Sequence, residues 1–282
     1  MKILTFDIEE WFHILDNNET KGKSDWVKFE SRIHKNMDII FNIIDNAKVK
    51  ATFFVVGWMA EEYPEIIKAI SNRGFEVGSH SHLHQLAYQL DRQMFFKDVE
   101  KSIKTLEDTT GKKVRSFRAP GFSITEHNKW AFEVLHELGI EIDASVFPAG
   151  RAHGGLASYK ESKPSILKYN GIELKEFPIN THHIFGKPLI FSGGGYFRLL
   201  PYNIIKSWTS RNDYVMTYFH PRDFDHQQPI VPGLSLTRRF KSYVGLKQCQ
   251  PKLEKWLKDF DFVDLETANQ IINWDQVPVV SL

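Results

Sequence analysis

The chain has 282 residues, enough for one large domain or two modest ones, and its 42% hydrophobic and 25% charged residues are ordinary for a soluble globular protein. Lysine and arginine number 36 against 35 acidic residues, and this net charge of +1 argues against a nucleic-acid-binding surface, which usually carries a clear basic excess. The single cysteine, Cys249, excludes an intrachain disulfide and gives no sign of an oxidising compartment.

The amino-terminal stretch "MKILTFDIEEWF" contains only a short apolar run. Acidic residues interrupt that run almost at once, so it does not fit the apolar core of a secretory signal. No window approaches the roughly 18 apolar residues of a membrane-spanning helix. We therefore expect a cytoplasmic protein without a spanning segment, which could still work at the inner face of a membrane.

Strand-like runs recur along the chain, at 2–9, 50–57, 75–81, 114–120, 140–147, 173–179, 214–221 and 261–265. Between the early runs lie segments with apolar residues at three- and four-residue steps, which predict helices packed on a sheet, at 33–46, 59–72, 94–109 and 127–138. This alternation predicts right-handed βαβ units, a parallel sheet and, with so many strands, closure into an α/β barrel. The segments 148–165 and 222–247 are long and irregular, which is typical of functional loops.

Titratable and cationic side chains are concentrated where the predicted strands end. Active groups of α/β barrels gather at the carboxyl ends of the strands, so this position matters. The candidate residues, in chain order, are Asp7, Glu9, Glu10, His80, His84, Arg118, Asp143 and His220.

The stretch "GSHSHLHQ" holds two histidines at i, i+4 with a third between them. If the strand turns directly into a helical turn, His80 and His84 lie on one face and suit two ligands of one metal ion. His82 then points elsewhere. A chance pair remains open, because the chain has 12 histidines.

The stretch "FDIEEW" supplies carboxylates for such a metal site. Because side chains alternate along a strand, Asp7 and Glu9 face one side and Ile8 the other. One carboxylate can ligate the metal while the other accepts a proton from water. A solvated acidic strand end is the alternative, although Asp7 within an apolar run needs a cationic partner if buried, and Arg118 is a candidate.

His220 closes the apolar strand "YVMTYFHP". It is either a core histidine satisfied by a carbonyl or a general acid for a leaving amine, with a carboxylate such as Asp143 holding its ring. The stretch "RAPGF" offers a backbone N–H after Pro120 that could face a developing oxyanion.

Taken together in this order, "TFDIEEW", "HSHLH", "RAPGF", "IDASVFP" and "YFHP" resemble the five motifs of the NodB-like polysaccharide deacetylases, carbohydrate esterase family 4. The resemblance covers residues 1–225, which we interpret as the NodB-like barrel. "SGGGYFRLLP" and the tail resemble the subgroup associated with exopolysaccharide and surface-glycan gene clusters. In that subgroup a C-terminal extension follows, here residues 226–282, which we expect to pack on the same domain.

The resemblance implies a deformed (β/α)7–8 barrel and a divalent metal, usually Zn²⁺, with Co²⁺ or Ni²⁺ as alternatives. It implies hydrolysis of an N-acetyl group from an amino sugar, giving a free amine and acetate. By motif, the implied metal ligands are His80 and His84, and the implied catalytic residues are Asp7 as general base, Arg118 as its partner, His220 as general acid, Asp143 as the partner of His220, and Gly121 through its N–H at the oxyanion.

One position departs from the family pattern. The family motif has two adjacent aspartates, the second a metal ligand, and here Ile8 occupies that place. Family members with an acid one residue later are consistent with Glu9 as the third ligand, in agreement with strand alternation. Glu10 is the other candidate.

The expected partner is an N-acetylated amino sugar or glycan, with peripheral association to a lipid-linked glycan as an option and no nucleic acid. Candidate sugar contacts are Phe122, Tyr196 and Arg198, the last two following three glycines. Two alternatives stay open. One is a hydrolase of a non-sugar amide on the same fold, and the other is a catalytically inactive glycan-binding protein, which would be expected to lack Asp7 or His220.

Overall fold

The structure, a computed structural model, describes residues 1–150, 154–184 and 187–282. Within these ranges the strands are, in chain order, β1 Lys2–Ile3, β2 Thr5–Ile8, β3 Thr52–Val55, β4 Glu76–Ser79, β5 Ser116–Phe117, β6 Ile142–Asp143, β7 Ser165–Tyr169, β8 Ile172–Glu176, β9 His182–Ile184, β10 Lys187–Leu189, β11 Val215–Met216 and β12 Val279–Ser281. The helices are α1 Lys23–Trp26, α2 Ile33–Ala47, α3 Gly57–Glu62, α4 Pro64–Asn72, α5 Arg92–Thr110, α6 Trp130–Glu137, α7 Gly194–Leu199, α8 Tyr202–Ser210, α9 Leu236–Tyr243, α10 Leu246–Asp259 and α11 Leu265–Ile271.

Six strands form a continuous parallel ladder in the order β2, β3, β4, β5, β6 and β8. On the far side of β2, the strand that begins as β11 continues the wall, because Phe6 bridges Phe219 and the Asp7 N–H donates to the Phe219 carbonyl at 2.7 Å. The fold is therefore a mostly parallel, deformed α/β barrel, as the sequence predicted.

The barrel is irregular between β8 and β11. Side chains connect the two walls there: the Tyr214 hydroxyl donates to the Pro178 carbonyl at 2.8 Å, and the Met216 N–H donates to Asn180 Oδ1 at 2.9 Å. A regular backbone ladder is replaced by these two bonds, which is where the barrel departs from ideal closure.

The helices bury the faces that their apolar spacing predicts. In α2 the residues at three- and four-residue steps, among them Ile33, Met37, Ile40 and Ile44, are buried against the sheet. α2 ends at Ala47, and the next residue, Lys48, adopts a left-handed conformation with φ of 54°. The predicted helix 59–72 is two helices, because Pro64 lacks an N–H and begins α4 instead of continuing α3.

Three predicted features differ in the C-terminal half. Strands β7 and β12 are absent from the sequence prediction. β7 pairs with β8 in antiparallel orientation, and β12 adds to β7 in parallel. The predicted strand 261–265 is reduced to a bridge between Ile3 and Val263. The segment 222–247, expected to be irregular, contains α9. None of its residues is buried, so it lacks the buried stripe that periodicity detects.

Residues beyond 225 share the core of the barrel. Trp256 of α10 has no exposed surface and packs on Phe197 and Phe219, with ring centroids 5.1 and 6.4 Å away. Among the described residues, no helix is both long and apolar enough to cross a bilayer.

Candidate active site

The site lies at the carboxyl ends of the parallel strands, where β-ladder bonds fix the backbone of each contributing residue. The His80 N–H donates to the Val55 carbonyl, and the Arg118 N–H donates to the Ser79 carbonyl, both at 2.9 Å. Glu9 is the first residue after β2, and His220 is the first residue after Phe219, which bridges Phe6 of β2. Strand register therefore brings residues distant in sequence to one rim of the barrel.

Glu9, His80 and His84 form a group, here called the donor triad, whose ligand atoms all lie within 4.8 Å of one another. One carboxylate oxygen and two imidazole nitrogens are a donor set that suits zinc and related divalent cations. All three side chains are buried, and Glu9 Oε2 lies 2.6 Å from His84 Nε2. The residues present therefore fit a divalent cation.

The ring of His80 is oriented for ligation by a backbone contact. Its Nδ1 lies 2.7 Å from the carbonyl oxygen of Arg118, so Nδ1–H donates there and Nε2 is left with its lone pair. Burial lowers the pKa of His80 to about 4, and this outweighs the opposing charges of Asp7 and Glu9. A neutral imidazole is the form that binds metal.

Glu9 is held as a carboxylate. Burial acts to raise its pKa. The charge of His84 and the hydrogen bond to His84 outweigh this effect and, with smaller contributions from the charges of His220 and His13, lower the pKa of Glu9 to about 2. Glu10, the other candidate ligand, turns away and accepts from the Ser31 hydroxyl at 2.5 Å and from the N–H groups of Arg32 and Ile33 at 3.0 and 3.2 Å. It thus caps the amino terminus of α2 and lies outside the donor triad.

The loop that carries His84 is not the helical turn assumed from the i, i+4 spacing. Ser81 and His84 have φ of 63° and 53°, in the left-handed region. Asp98 of α5 holds this loop, since its carboxylate accepts from the N–H groups of His82 and Leu83 at 2.8 and 3.0 Å. The structure nevertheless brings His80 and His84 together, whereas His82 points away, with its Nε2 3.5 Å from Glu61 Oε2.

Asp7 and Arg118 form a buried ion pair beside the donor triad. Arg118 Nη1 donates to Asp7 Oδ1 and to the Thr5 hydroxyl, both at 2.7 Å, and its guanidinium stacks over Phe54 at 4.3 Å. Arg118 has no exposed surface and Asp7 has 3%. The arginine thus supplies the cation that a carboxylate inside an apolar run requires.

His220 faces the same space from the other side. Its Nε2 lies 3.8 Å from Asp7 Oδ2 and 4.0 Å from Glu9 Oε1. Burial alone lowers the pKa of His220, but the hydrogen bond to Asp223 and the charges of Glu9, Asp223 and Asp7 outweigh it and raise the pKa to about 9. The site therefore places a carboxylate, which can accept a proton, opposite an imidazole, which can donate one when it is protonated.

The partner of His220 is Asp223 and not Asp143. His220 Nδ1 lies 3.2 Å from Asp223 Oδ2. Asp143 is instead buried in the barrel interior, where it accepts from the Ser145 hydroxyl at 2.5 Å and contacts Glu176, so the assignment of Asp143 to His220 is wrong. Sequence reasoning missed Asp223, although its i, i+3 spacing from His220 in "HPRD" is the available signal.

Two candidate sugar contacts have other roles in this structure. Phe122 is 4% exposed and packs edge-on against Tyr218, so it offers no free ring face. Arg198 is 5% exposed and its Nε lies 3.2 Å from Asp223 Oδ1, so its guanidinium faces the protein. Both assignments are corrected accordingly. Tyr196, by contrast, is 49% exposed.

Gly121 lies in the turn Pro120–Phe122 that follows Arg118, and its φ of 62° is in the region that favours glycine. His13 was not considered from the sequence. It is buried, and its ring lies against that of His84 with centroids 5.9 Å apart. Burial lowers the pKa of His13 to about 3, so it is a neutral wall of the site.

Two family models match this chain, one in each half of the sequence. Residues 17–142 match the family model "Polysaccharide deacetylase", and residues 144–270 match a "Domain of unknown function", DUF3473. The polysaccharide deacetylase match covers somewhat less than half of the chain, and it agrees with the resemblance carried by the sequence motifs.

Curated relatives match over part of the chain. A peptidoglycan-N-acetylglucosamine deacetylase from Bacillus cereus is 34% identical over 95 residues, covering 32% of this chain and 34% of the relative. Peptidoglycan-N-acetylglucosamine deacetylase PgdA from Listeria monocytogenes is 28% identical over 103 residues, covering 36% and 21%. The chain thus matches about a third or less of the length of these relatives.

Solved structures share the fold across the chain. A Mycobacterium smegmatis protein assigned as a polysaccharide deacetylase superposes with a TM-score of 0.69 at 17% identity, covering 100% of this chain and 92% of that one. A family 4 carbohydrate esterase from Streptomyces lividans gives 0.51 at 12% identity, covering 93% and 90%. At these identities the likeness concerns the fold.

Proposed function

We propose that this chain is a metal-dependent deacetylase that hydrolyses the N-acetyl group of an amino sugar within a glycan. The observation that carries the proposal is the convergence of Asp7 and His220, 3.8 Å apart, beside the donor triad. Hydrolysis of an amide needs a base for the attacking water and an acid for the leaving nitrogen, and this pair supplies both.

The donor triad of Glu9, His80 and His84 would hold a divalent cation, for which we propose Zn²⁺. When bound, such a cation supplies Lewis acidity, which polarises the amide carbonyl and makes water a better nucleophile near neutral pH. The tautomer of His80, set by the Arg118 carbonyl, and the ionised Glu9 prepare the chain for it.

The protein groups then divide the proton transfers. Asp7 accepts a proton from the water that attacks the acetyl carbon, and Arg118 balances the charge of Asp7 throughout. The Gly121 N–H donates to the oxygen that becomes negative. His220 donates a proton to the nitrogen as the C–N bond breaks, so acetate and a free amine leave.

The substrate class follows from the family and from one exposed aromatic residue. Tyr196, beside the glycines of "GGGY", offers a ring face on which a sugar can stack. The relatives named as peptidoglycan-N-acetylglucosamine deacetylases favour an N-acetylhexosamine. The sequence resemblance supports four further parts of the proposal. The chain would belong to the surface-glycan subgroup, contact a lipid-linked glycan peripherally and work in the cytoplasm. Its barrel would end at residue 225, and its C-terminal extension would begin at residue 226.

The test is acetate release by purified full-length protein, prepared without metal and then supplied with Zn²⁺, Co²⁺ or Ni²⁺, across a panel of N-acetylated oligosaccharides. We expect acetate and free amine in equal amounts with at least one metal and one glycan. A non-sugar amide hydrolase would act only on acetamides that lack a sugar. An inactive glycan-binding protein would bind a glycan and release nothing with any metal.

A further inference from the structure

Asp223 connects His220 to the rest of the molecule. The two residues share the turn Pro221–Phe224, in which Asp223 Oδ2 accepts from the His220 N–H at 3.0 Å and contacts its Nδ1 at 3.2 Å. Asp223 is only 2% exposed. One carboxylate oxygen thus fixes both the backbone and the ring of His220, which leaves Nε2 directed at Asp7.

The other oxygen of Asp223 is held by Arg198, whose remaining donors reach α9. Arg198 Nε forms an ion pair with Asp223 Oδ1 at 3.2 Å and donates to the Gly194 carbonyl at 3.3 Å, while Nη1 and Nη2 donate to the carbonyls of Ser242 and Lys241 at 2.7 and 3.0 Å. Those carbonyls belong to the last turn of α9, where they have no partner within the helix and the helix dipole is negative. The planar fork of arginine suits this three-sided arrangement.

The extension also fixes the short helix α7, which carries Arg198. Lys252 of α10 donates to the carbonyls of Arg198 and Leu200 at 2.6 and 2.7 Å, at the carboxyl end of α7. Gly245 passes so close that a Cβ there would lie 2.4 Å from the Arg198 carbonyl oxygen. These contacts define the His220 brace: Asp223, Arg198 and the α9 and α10 groups that hold Arg198.

We infer that residues 226–282 complete the active site, because their helices fix the orientation of His220 through Arg198 and Asp223. Arg198 and Asp223 are positioning residues in this view, and they lie with His220 in the region 144–270 that the domain of unknown function matches. The inference rests on the proposed deacetylase activity. It also explains why Asp143, bound to Ser145 and Glu176, is not needed at His220.

The experiment compares Asp223→Asn with Asp225→Asn in the full-length, metal-loaded protein. Asp225 is the matched control, since it is also 2% exposed and paired with an arginine, Arg32, at 3.1 Å, yet it does not contact His220. The substrate is the N-acetylated oligosaccharide that the wild-type protein deacetylates fastest. We expect D223N to lower kcat roughly 10- to 100-fold with KM and metal content unchanged, and D225N to leave kcat unchanged.

Arg198→Lys adds a second, milder variant. Lysine keeps the positive charge beside Asp223 but cannot also bridge the two carbonyls of α9, so we expect kcat to fall while KM and metal content stay constant. The double variant R198K/D223N should be no slower than D223N alone, because Arg198 acts through Asp223.

Equal kcat losses in D223N and D225N would assign Asp223 a structural role and overturn the inference. If D223N does not fold, a folded R198K with wild-type kcat would overturn it as well. Either result leaves the proposed function intact, provided that the wild-type protein releases acetate. Absence of acetate release by the wild-type protein would instead contradict the proposed function.

Discussion

The two halves of the active site are built by different means. Glu9, His80 and the Asp7–Arg118 pair come from the ends of β2, β4 and β5, where ladder bonds fix the backbone, and His84 follows in the loop that Asp98 holds. The backbone before His220 is also bridged to β2, at Phe219, but the His220 ring is oriented by Asp223, which pairs with Arg198, and Arg198 is held by α9. The first half depends on strand register, and the second on contacts between distant side chains and helix ends.

The largest expected effect is a loss of kcat when Asp7, in the half of the site that is built on strand ends, is substituted. Asp7→Asn keeps the size of the side chain but removes the proton acceptor, so kcat should fall about 10²- to 10⁴-fold. Metal content should stay at the wild-type level, because Asp7 lies outside the donor triad. His80→Ala is the comparison and should lose both activity and metal. Loss of metal in D7N, measured by elemental analysis, would place Asp7 among the ligands.

The second prediction concerns the stability of the same half. Arg118→Met leaves the buried Asp7 charge without a partner, which costs about 3–5 kcal/mol in the free energy of unfolding. Arg115→Met is the control, because this arginine is exposed and its pair with Glu141 at 3.2 Å contributes less than about 1 kcal/mol. Urea unfolding at neutral pH compares them, and similar midpoints for the two variants would show that Asp7 is solvated.

The third prediction separates the adjacent carboxylates. Glu9→Ala removes a member of the donor triad, so its metal affinity should fall by more than the roughly 10- to 100-fold typical of losing an outer contact. Glu10→Ala should keep the metal and instead cost about 1 kcal/mol of stability as a lost cap of α2. Titration with Co²⁺ followed by absorbance distinguishes them, and the reverse pattern would make Glu10 the ligand.

The smallest expected effect is a pH dependence of stability that arises from Glu76, at the opposite end of the barrel. The Glu76 carboxylate accepts from the hydroxyls of Thr52 and Ser116 and from the Glu266 N–H. Burial raises the pKa of Glu76 to about 7, helped by Asp264 and Glu266 and opposed by the two hydroxyl bonds. The folded state therefore binds the proton more tightly, and the free energy of unfolding falls as pH rises from 4.5 to 7, by roughly 1–3 kcal/mol.

Glu76→Gln should remove this fall, so the variant gains on the wild-type protein between pH 5 and pH 8 in urea unfolding. Glu254→Gln, at an exposed position on α10, is the control and should keep the wild-type pH dependence. Parallel pH curves for E76Q and the wild-type protein would mean that Glu76 is ionised throughout this range.

The comparison explains what the sequence could predict. Strand alternation and motif order led to Asp7, Glu9, His80 and His84, because short-range periodicity determines which side chains share a strand end. His84 lies beside His80 as the spacing predicts, although Ser81 and His84 are left-handed, which spacing alone does not indicate. The fold class followed from the strand–helix alternation for the same reason.

The remainder depended on long-range contacts. Asp143 was assigned to His220 by motif order, but a buried carboxylate takes the partner that tertiary packing provides, here Glu176. Arg198 was assigned to sugar because it follows glycines, whereas its partners are 25 residues and more away along the chain. No local pattern marks a contact between an arginine and the last turn of a later helix.

The pairing of β2 with residues 215–219 has a consequence for how the protein folds. Thr5 bonds with Thr217, 212 positions further on, and Ile3 bridges Val263. The edge of β2 therefore stays open until the segment around Thr217, some 212 residues later in the chain, has been synthesised. Such pairing raises contact order and slows folding, and the exposed edge invites association meanwhile. Chaperone dependence during synthesis should thus be greater than the size of the protein suggests.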